Sequence, residues 1–332
     1  MSELSAVRAE ELASLAVFAG VPPAQLTDLA AHLEPLNAPR GRVLMRQGDR
    51  ALSFLIIASG EVEVLHTDSD GVTVLAALSE GLIVGEIALL RNAPRSATVT
   101  AATELYGYVG YKPAFYRLLE IPDIQEKLVA TARRRLAAFI TPIPVRTDDG
   151  AELFLRPVLP GDSQRVVHGQ VKFSAETLYR RFLSVGTPNE TLLAYLFEVD
   201  YVDHFVWVLT DGIDGPVVAD ARFVRDEDDP TVAEIAFTVA DAYQGRGIGT
   251  LLFAALVVAA RADGINRFHA RVLADNAPSR ALLDQLGAAW EREEPGIVAA
   301  TADVPASKDL AVKLPALEQI SDVARRVIEA FD

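Results

Sequence analysis

Apolar residues recur at two different periods along this chain. Over residues 1–38 they fall at helical spacing, first Leu12, Leu15 and Phe18, then Leu26, Leu29, Ala30 and Leu33, with Pro22-Pro23 between the two stretches. From Gly41 to Ala102 short β-rich runs take over, among them Phe54-Leu55-Ile56-Ile57 and Val62-Glu63-Val64-Leu65. Gly41, Gly48, Gly60, Gly71 and Gly81 punctuate them, a rhythm that predicts turns in a small antiparallel roll or barrel. Helical pattern returns at about Pro113 and runs to about Ile140. Thr141-Pro142-Ile143-Pro144 then stops it, because proline cannot continue a helix and stiffens the chain toward an extended form.

That stop places a linker at 141–150 between a domain over 1–140 and a second over 151–303. The second domain is predicted as a strand near 152–156, helices between about 162 and 197, strands 204–210, 217–224 and 232–239, helix 247–262, strand 267–273, helix 277–286, then strands to about 303. This is a mixed α/β pattern, so the whole chain reads as α+β in two domains. No internal repeat and no low-complexity tract interrupts it. In the remaining segment, 304–332, Ala316 to Phe331 is amphipathic: Leu317, Ile320, Val323, Val327, Ile328 and Phe331 share one helical face. Such a helix either caps a core permanently or acts as an autoinhibitory lid.

Charge narrows the function classes. The chain has 332 residues, with 46 acidic against 31 basic and a formal charge of −15. That balance repels nucleic-acid phosphates and anionic lipid, so neither is the expected partner. No cysteine is present, which removes disulfides, thiolate nucleophiles and thiolate zinc sites. His32, His66, His168, His204 and His269 show no metal-ligand spacing, so no metal site is expected. The N-terminus carries acid where a signal peptide needs positive charge. The longest apolar run, Ile248 to Ala260, is too short to span a bilayer. A cytoplasmic protein is expected.

Two stretches carry chemistry. The first is Val84-Gly85-Glu86-Ile87-Ala88-Leu89-Leu90, followed by Arg95-Ser96-Ala97-Thr98. Gly85 allows close backbone approach to a ligand. The turn after it can start a short helix whose free amides favour an anion. Glu86 can accept from a sugar hydroxyl, and Arg95 can fork onto a phosphate. A Glu86–Arg95 ion pair inside a ligand-free roll is the plainer alternative. The stretch resembles the phosphate-binding cassette of cyclic-nucleotide-binding domains, over residues from about 10 to 140. By that resemblance Glu86 takes the ribose 2′-hydroxyl and Arg95 the cyclic phosphate. Amides near Ile87, Ala88 and Ser96 complete the cradle, and Ser96 favours cyclic AMP over cyclic GMP. Arg135, in the run Arg133-Arg134-Arg135, is the residue placed to cap the adenine; the bland reading of that run is a solvated helix face.

The second stretch is Gln244-Gly245-Arg246-Gly247-Ile248-Gly249-Thr250, after a strand and opening a helix. Its glycines allow a tight turn whose amides converge on one anion, with help from the helix dipole. No Gly-Lys-Ser/Thr follows, so it is not a P-loop, and Thr250 stands where a dinucleotide fingerprint needs its last glycine. The pattern resembles motif A of the GNAT acetyltransferases, and the resemblance extends over about 150–303. It includes Leu155-Arg156-Pro157-Val158 with Gly161-Asp162, then Asn276, then Leu286-Gly287-Ala288. It implies acetyl-CoA as cosubstrate. The amides of Arg246 to Thr250 would hold the pyrophosphate, while strand positions Phe237 and Val239, with Asn276, would serve the pantetheine arm.

An acceptor lysine reaches such a site protonated, with a reference pKa near ~10.4, and needs a base. Glu234 lies on the strand leading into the loop, with Ile235, Phe237 and Val239 alternating to the other face. The GNAT resemblance makes Glu234 the general base. Many GNAT enzymes carry a tyrosine acid on the helix after the asparagine; the matching position here is Leu283.

In this order the two halves resemble a family of mycobacterial cyclic-AMP-regulated protein lysine acetyltransferases. Arg135 to Pro144 and Glu176 to Phe182 belong to that likeness. It implies protein lysine substrates, notably acyl-CoA synthetases. Three other readings stay open on the sequence: a cyclic-AMP-gated small-amine acetyltransferase, a sensor that only binds acyl-CoA, and a transcription factor. The last is disfavoured by the α/β pattern after the sensor and by the net charge.

Overall fold

A computed structural model describes residues 3–67, 71, 73–159, 161–162, 171–184, 196–197, 199–306, 310 and 314–329. His168, Phe331 and most of the region expected to be helical between 162 and 197 lie outside those residues. The chain divides into two compact units that meet in sequence between Arg135 and Leu136.

The first unit opens with helices α1 (Glu3–Ala13) and α2 (Pro23–Ala31). Eight strands follow: β1 (Leu33–Ala38), β2 (Val43–Met45), β3 (Ser53–Ser59), β4 (Val62–Thr67), β5 (Thr73–Leu78), β6 (Ile83–Val84), β7 (Thr98–Ala101) and β8 (Leu105–Tyr111). They form two antiparallel sheets, ordered β1-β8-β3-β6 and β2-β7-β4-β5. Period-two alternation builds them: in β4, Val62 and Val64 are buried while Glu63 and Leu65 face outward. A short helix, α3 (Glu86–Leu90), leaves the end of β6. Then come α4 (Lys112–Leu119) and α5 (Ile124–Ala138). Phe18, Leu26, Leu29, Phe54, Ile56, Phe115 and Leu118 fill the core.

Two boundaries differ from the sequence pattern. Leu33, read with the helical series of α2, is the first residue of β1 and pairs with Gly110. It is buried in either reading, so periodicity could not separate them. The helical stretch read from Pro113 to Ile140 is two helices. They break at Pro122 and at Asp123, which takes φ 62°.

The second unit has one eight-stranded sheet, ordered β15-β16-β14-β13-β12-β11-β10-β9. Its strands are β9 (Ile143–Arg146), β10 (Glu152–Pro157), β11 (His204–Thr210), β12 (Val217–Arg225), β13 (Val232–Val239), β14 (Arg267–Leu273), β15 (Ala289–Glu294) and β16 (Ile297–Asp303). The segment expected to be a linker therefore supplies an edge strand: β9 pairs with β10, with Pro144 opposite Phe154. An edge position accommodates a proline, which has no amide to donate.

Four helices are described here: α6 (Ala175–Phe182), α7 (Ile248–Ala262), α8 (Ala277–Asp284) and α9 (Leu314–Ile328). Helix α7 is apolar almost all round, and Leu252 to Ala260 are buried. Sheet strands β11, β12 and β13 pack on it, and so does α9. The buried Trp207 indole of β11 donates to the Ala255 carbonyl of α7 at 3.0 Å. Leu317, Ile320, Val323, Val327 and Ile328 of α9 lie in this core. Among the described residues no helix is long and apolar enough to cross a membrane, and no group of three or more acidic or histidine side chains is placed to hold a metal.

Candidate active site and nucleotide pocket

β13 and β14 are the parallel pair of the sheet, and their pairing is short. Val232, Ala233 and Glu234 register with Arg267, Phe268 and His269, and the ladder ends there although both strands continue. The parted strands open a groove of about 520 Å³. Glu234 to Val239 line one wall, Ala270 to Val272 another, and the loop after β13 closes one end. Val239 lies five steps along the strand from Glu234, roughly 17 Å at ~3.3 Å per residue.

The loop is shaped by two glycines in the left-handed region, Gly245 at φ 74° and Gly247 at φ 77°. Gly247 also caps α7, whose first amides lack carbonyl partners within the helix. Gln244, Gly245, Gly247, Ile248 and Gly249 border the groove; Arg246 and Thr250 do not. The Gln244 side chain donates to the Val239 carbonyl at 3.0 Å and to Thr177 Oγ1 at 3.2 Å, so it fastens the loop to β13 and to α6. Phe237 and Val239 border the groove as expected, and Phe237 packs on Phe253 of α7, 5.8 Å between ring centroids. Asn276 borders it too, while its side-chain Oδ1 accepts from the Ser279 amide at the start of α8. Leu283 is buried on the groove wall, so that position offers no phenol.

Glu234 is exposed to the groove, and no hydrogen bond or ion pair engages its carboxylate among the described residues. Arg181 of α6 lines the same cavity, and its Nε is buried without a hydrogen-bond partner. Burial pushes the Arg181 guanidinium down to about 10; Arg222 adds to this, while Asp220 and Glu234 oppose it. Arg181 was legible only as part of a family stretch, since nothing in its own spacing tied it to Glu234. The N-terminus of α6 is held by Asp241, whose carboxylate accepts from the Ser174 amide (2.8 Å), the Ser174 hydroxyl (2.7 Å) and the Thr177 hydroxyl (2.9 Å). Those bonds, Ser174's first, keep the Asp241 carboxyl below the usual range. The opening motif is explained as well: Arg156 and Asp162 form a buried two-point ion pair at 2.7 and 2.8 Å.

In the first unit the cassette residues come together around α3. Gly85 takes φ 86°, and a Cβ there would lie 2.5 Å from Arg95 Nη1. Arg95 is buried and donates to the Gly85 carbonyl (2.9 Å) and the Ser53 carbonyl (2.6 Å). Burial depresses its guanidinium, partly offset by Glu86 and Asp49. A buried cation held by carbonyls is suited to a phosphate. The alternative of a Glu86–Arg95 ion pair is not what forms. Glu86, 1% exposed, pairs instead with Arg135 of α5 at 2.5 Å. Arg135 also donates to the Ile83 carbonyl at 2.6 Å. The other carboxylate oxygen, Glu86 Oε2, is buried without a partner. Ile87 and Ala88 are buried in α3, and the Ser96 carbonyl is bonded to His66 Nδ1. Arg135, expected near an adenine, thus pairs with the Glu86 carboxylate in this structure. Ser53 was not legible in the sequence; it reaches Arg95 only through the pairing of β3.

The fold and the two sites define a regulated acyltransferase, a cyclic nucleotide-binding domain followed by a GNAT domain. The cyclic nucleotide-binding domain family matches residues 35–121, and the acetyltransferase (GNAT) family matches residues 175–288. Acetyltransferase Pat of Mycolicibacterium smegmatis is 54% identical over 330 residues, 99% of this chain and 99% of its own. The solved structure of a cAMP-binding acyltransferase from Mycobacterium smegmatis is 51% identical, covers 100% of both chains and superposes with a TM-score of 0.52. A cAMP-dependent protein kinase regulatory subunit of Mycosarcoma maydis is 40% identical over 91 residues, 27% of this chain and 17% of its own. The chain belongs to the Pat family of acetyltransferases.

Proposed function

We propose that this protein is a cyclic-AMP-regulated acetyltransferase that moves the acetyl group of acetyl-CoA onto lysine side chains of proteins. The observation that carries this is the groove between β13 and β14, which joins an anion-binding glycine loop to an unengaged carboxylate. The loop and strand edge bind and orient the thioester. Glu234 takes the proton from the acceptor ammonium. The free amine bonds to the acyl carbon, the C–S bond breaks, and the second amine proton passes through water to the departing thiolate, since Leu283 donates nothing. Acyl-CoA synthetases are the acceptors that the family resemblance implies, and the cytoplasm is the compartment that fits. The test is labelled acetyl-CoA with and without cyclic AMP, offered protein and small-amine acceptors. Label on protein lysine, increased by cyclic AMP, is expected; label on the free amine alone would overturn the acceptor assignment.

In the sensor, Glu86 Oε2 and the Arg95 guanidinium are the groups that fit a ribose hydroxyl and a cyclic phosphate. The nucleotide then has to share or replace Arg135 on Glu86. Arg135→Gln separates two roles by calorimetry. A competitor for Glu86 predicts tighter cyclic-AMP binding in the variant, because the ligand-free state loses its ion pair. An adenine cap predicts weaker binding. We expect tighter binding, by up to about tenfold, within the ~3–5 kcal/mol that breaking a buried pair can cost.

A further inference from the structure

The turn between β9 and β10 lies far from the glycine loop in sequence but is fastened to it in space. The Asp148 amide donates to the Arg246 carbonyl at 3.1 Å. The Asp149 carboxylate pairs with Arg246 Nη1 at 2.9 Å. A Cβ on Gly247 would lie 2.6 Å from Asp148 Oδ2, so the turn sits directly against the loop. The turn is itself closed: Thr147 bonds Ala151 through its amide at 3.0 Å, and the Asp149 carboxylate accepts from the Thr147 hydroxyl and the Ala151 amide. Those two bonds, the Thr147 one larger, hold the Asp149 carboxyl below its usual value, so it stays ionised.

Arg246 is the residue a phosphate would be expected to recruit, yet both of its terminal nitrogens are engaged elsewhere. Nη2 donates to the Ala242 carbonyl at 2.7 Å, Nη1 meets Asp149, and the guanidinium lies 5.2 Å from the Tyr243 ring centroid. It does not border the groove. Flanked by two left-handed glycines, the loop would be costly to order on its own.

We propose that Asp148 and Asp149 act through Arg246 as a clasp that holds the glycine loop ready for the coenzyme A pyrophosphate, making Arg246 a positioning residue and not a phosphate ligand. This rests on the acetyl-CoA reading above. Arg246 keeps its backbone in the loop while its side chain is turned outward onto the turn. Long-range charge argues the other way, since two carboxylates beside an anion site repel the anion. The sign of the effect therefore decides the matter.

The experiment measures acetyl-CoA binding by calorimetry, and KM against kcat, for the full chain and for Asp149→Asn, Arg246→Gln and the double variant. An exposed ion pair is worth a factor of about 2–5. Each single variant is expected to raise Kd and KM by that factor with kcat within twofold. The double variant should be no worse than either single one, and Asp149→Glu should restore part of the loss. Arg246→Gln leaves the internal bonds of the turn intact, so it answers the question even if Asp149→Asn loosens the turn. Tighter binding in Asp149→Asn, or losses that multiply in the double variant, would overturn the clasp. A wild-type chain that binds no acetyl-CoA would instead overturn the reading on which it rests.

Discussion

Glu234→Gln is expected to lower kcat by about 10²–10⁴-fold while leaving acetyl-CoA affinity unchanged. The size follows from proton accounting. With a reference pKa near ~10.4, only about one lysine amine in a few thousand is neutral at pH 7. Without a base, the enzyme must wait for that fraction. The variant should therefore recover roughly tenfold per pH unit as pH rises toward 10, closing on the wild type. Glutamine keeps the volume, and Glu234 is exposed with no hydrogen bond or ion pair among the described residues, so folding should not change. Steady-state rates from pH 6 to 10, with calorimetry for binding, make the measurement. Near wild-type turnover at neutral pH would remove Glu234 from the mechanism.

Arg95→Ala is expected to weaken cyclic-AMP binding by about 30- to 5,000-fold, the range that corresponds to ~2–5 kcal/mol for truncating one partner of a buried charged pair. Arg95 is 7% exposed, and among the described residues its guanidinium has only carbonyl and hydroxyl oxygens as hydrogen-bond partners. A bound phosphate would be its strongest partner. Arg95→Lys keeps the charge but loses the fork, so an intermediate loss is expected. The transferase should respond in parallel, needing far more nucleotide for the same activation. Calorimetric titration gives the affinity directly, and an unchanged value in Arg95→Ala would take the residue out of the site.

Both cassettes were readable because each is written in consecutive residues. A left-handed turn beside a ligand demands glycine, and Gly85, Gly245 and Gly247 all adopt one. Alternation along the strand that feeds such a turn gave the face of Glu234, and the GNAT resemblance alone singled it out as the base. The same logic failed where two structures share one pattern. Leu33 is apolar and buried whether it ends a helix or begins β1. The prolines of 141–150 mark both a linker and an edge strand, and β9 is the latter. The amphipathic C-terminal helix was compatible with cap and lid. In this structure its apolar face lies in the core beside α7, and among the described residues none of α9 borders the groove.

The sequence by itself determined the two-domain order and the glycine turns, because those depend on local backbone preference and on periodicities of two and 3.6, while the charges were singled out through the motifs around them. Only the tertiary structure decided which of those charges meet. Glu86 takes Arg135 and not Arg95, Arg95 takes the carbonyls of Gly85 and Ser53, and Arg246 takes Asp149. Each pairing joins different elements or distant turns, and several bring residues together from far apart in the chain. Buried ions require partners, but which partner is set by how sheets and helices pack, and packing is a property of the whole core that no short window contains.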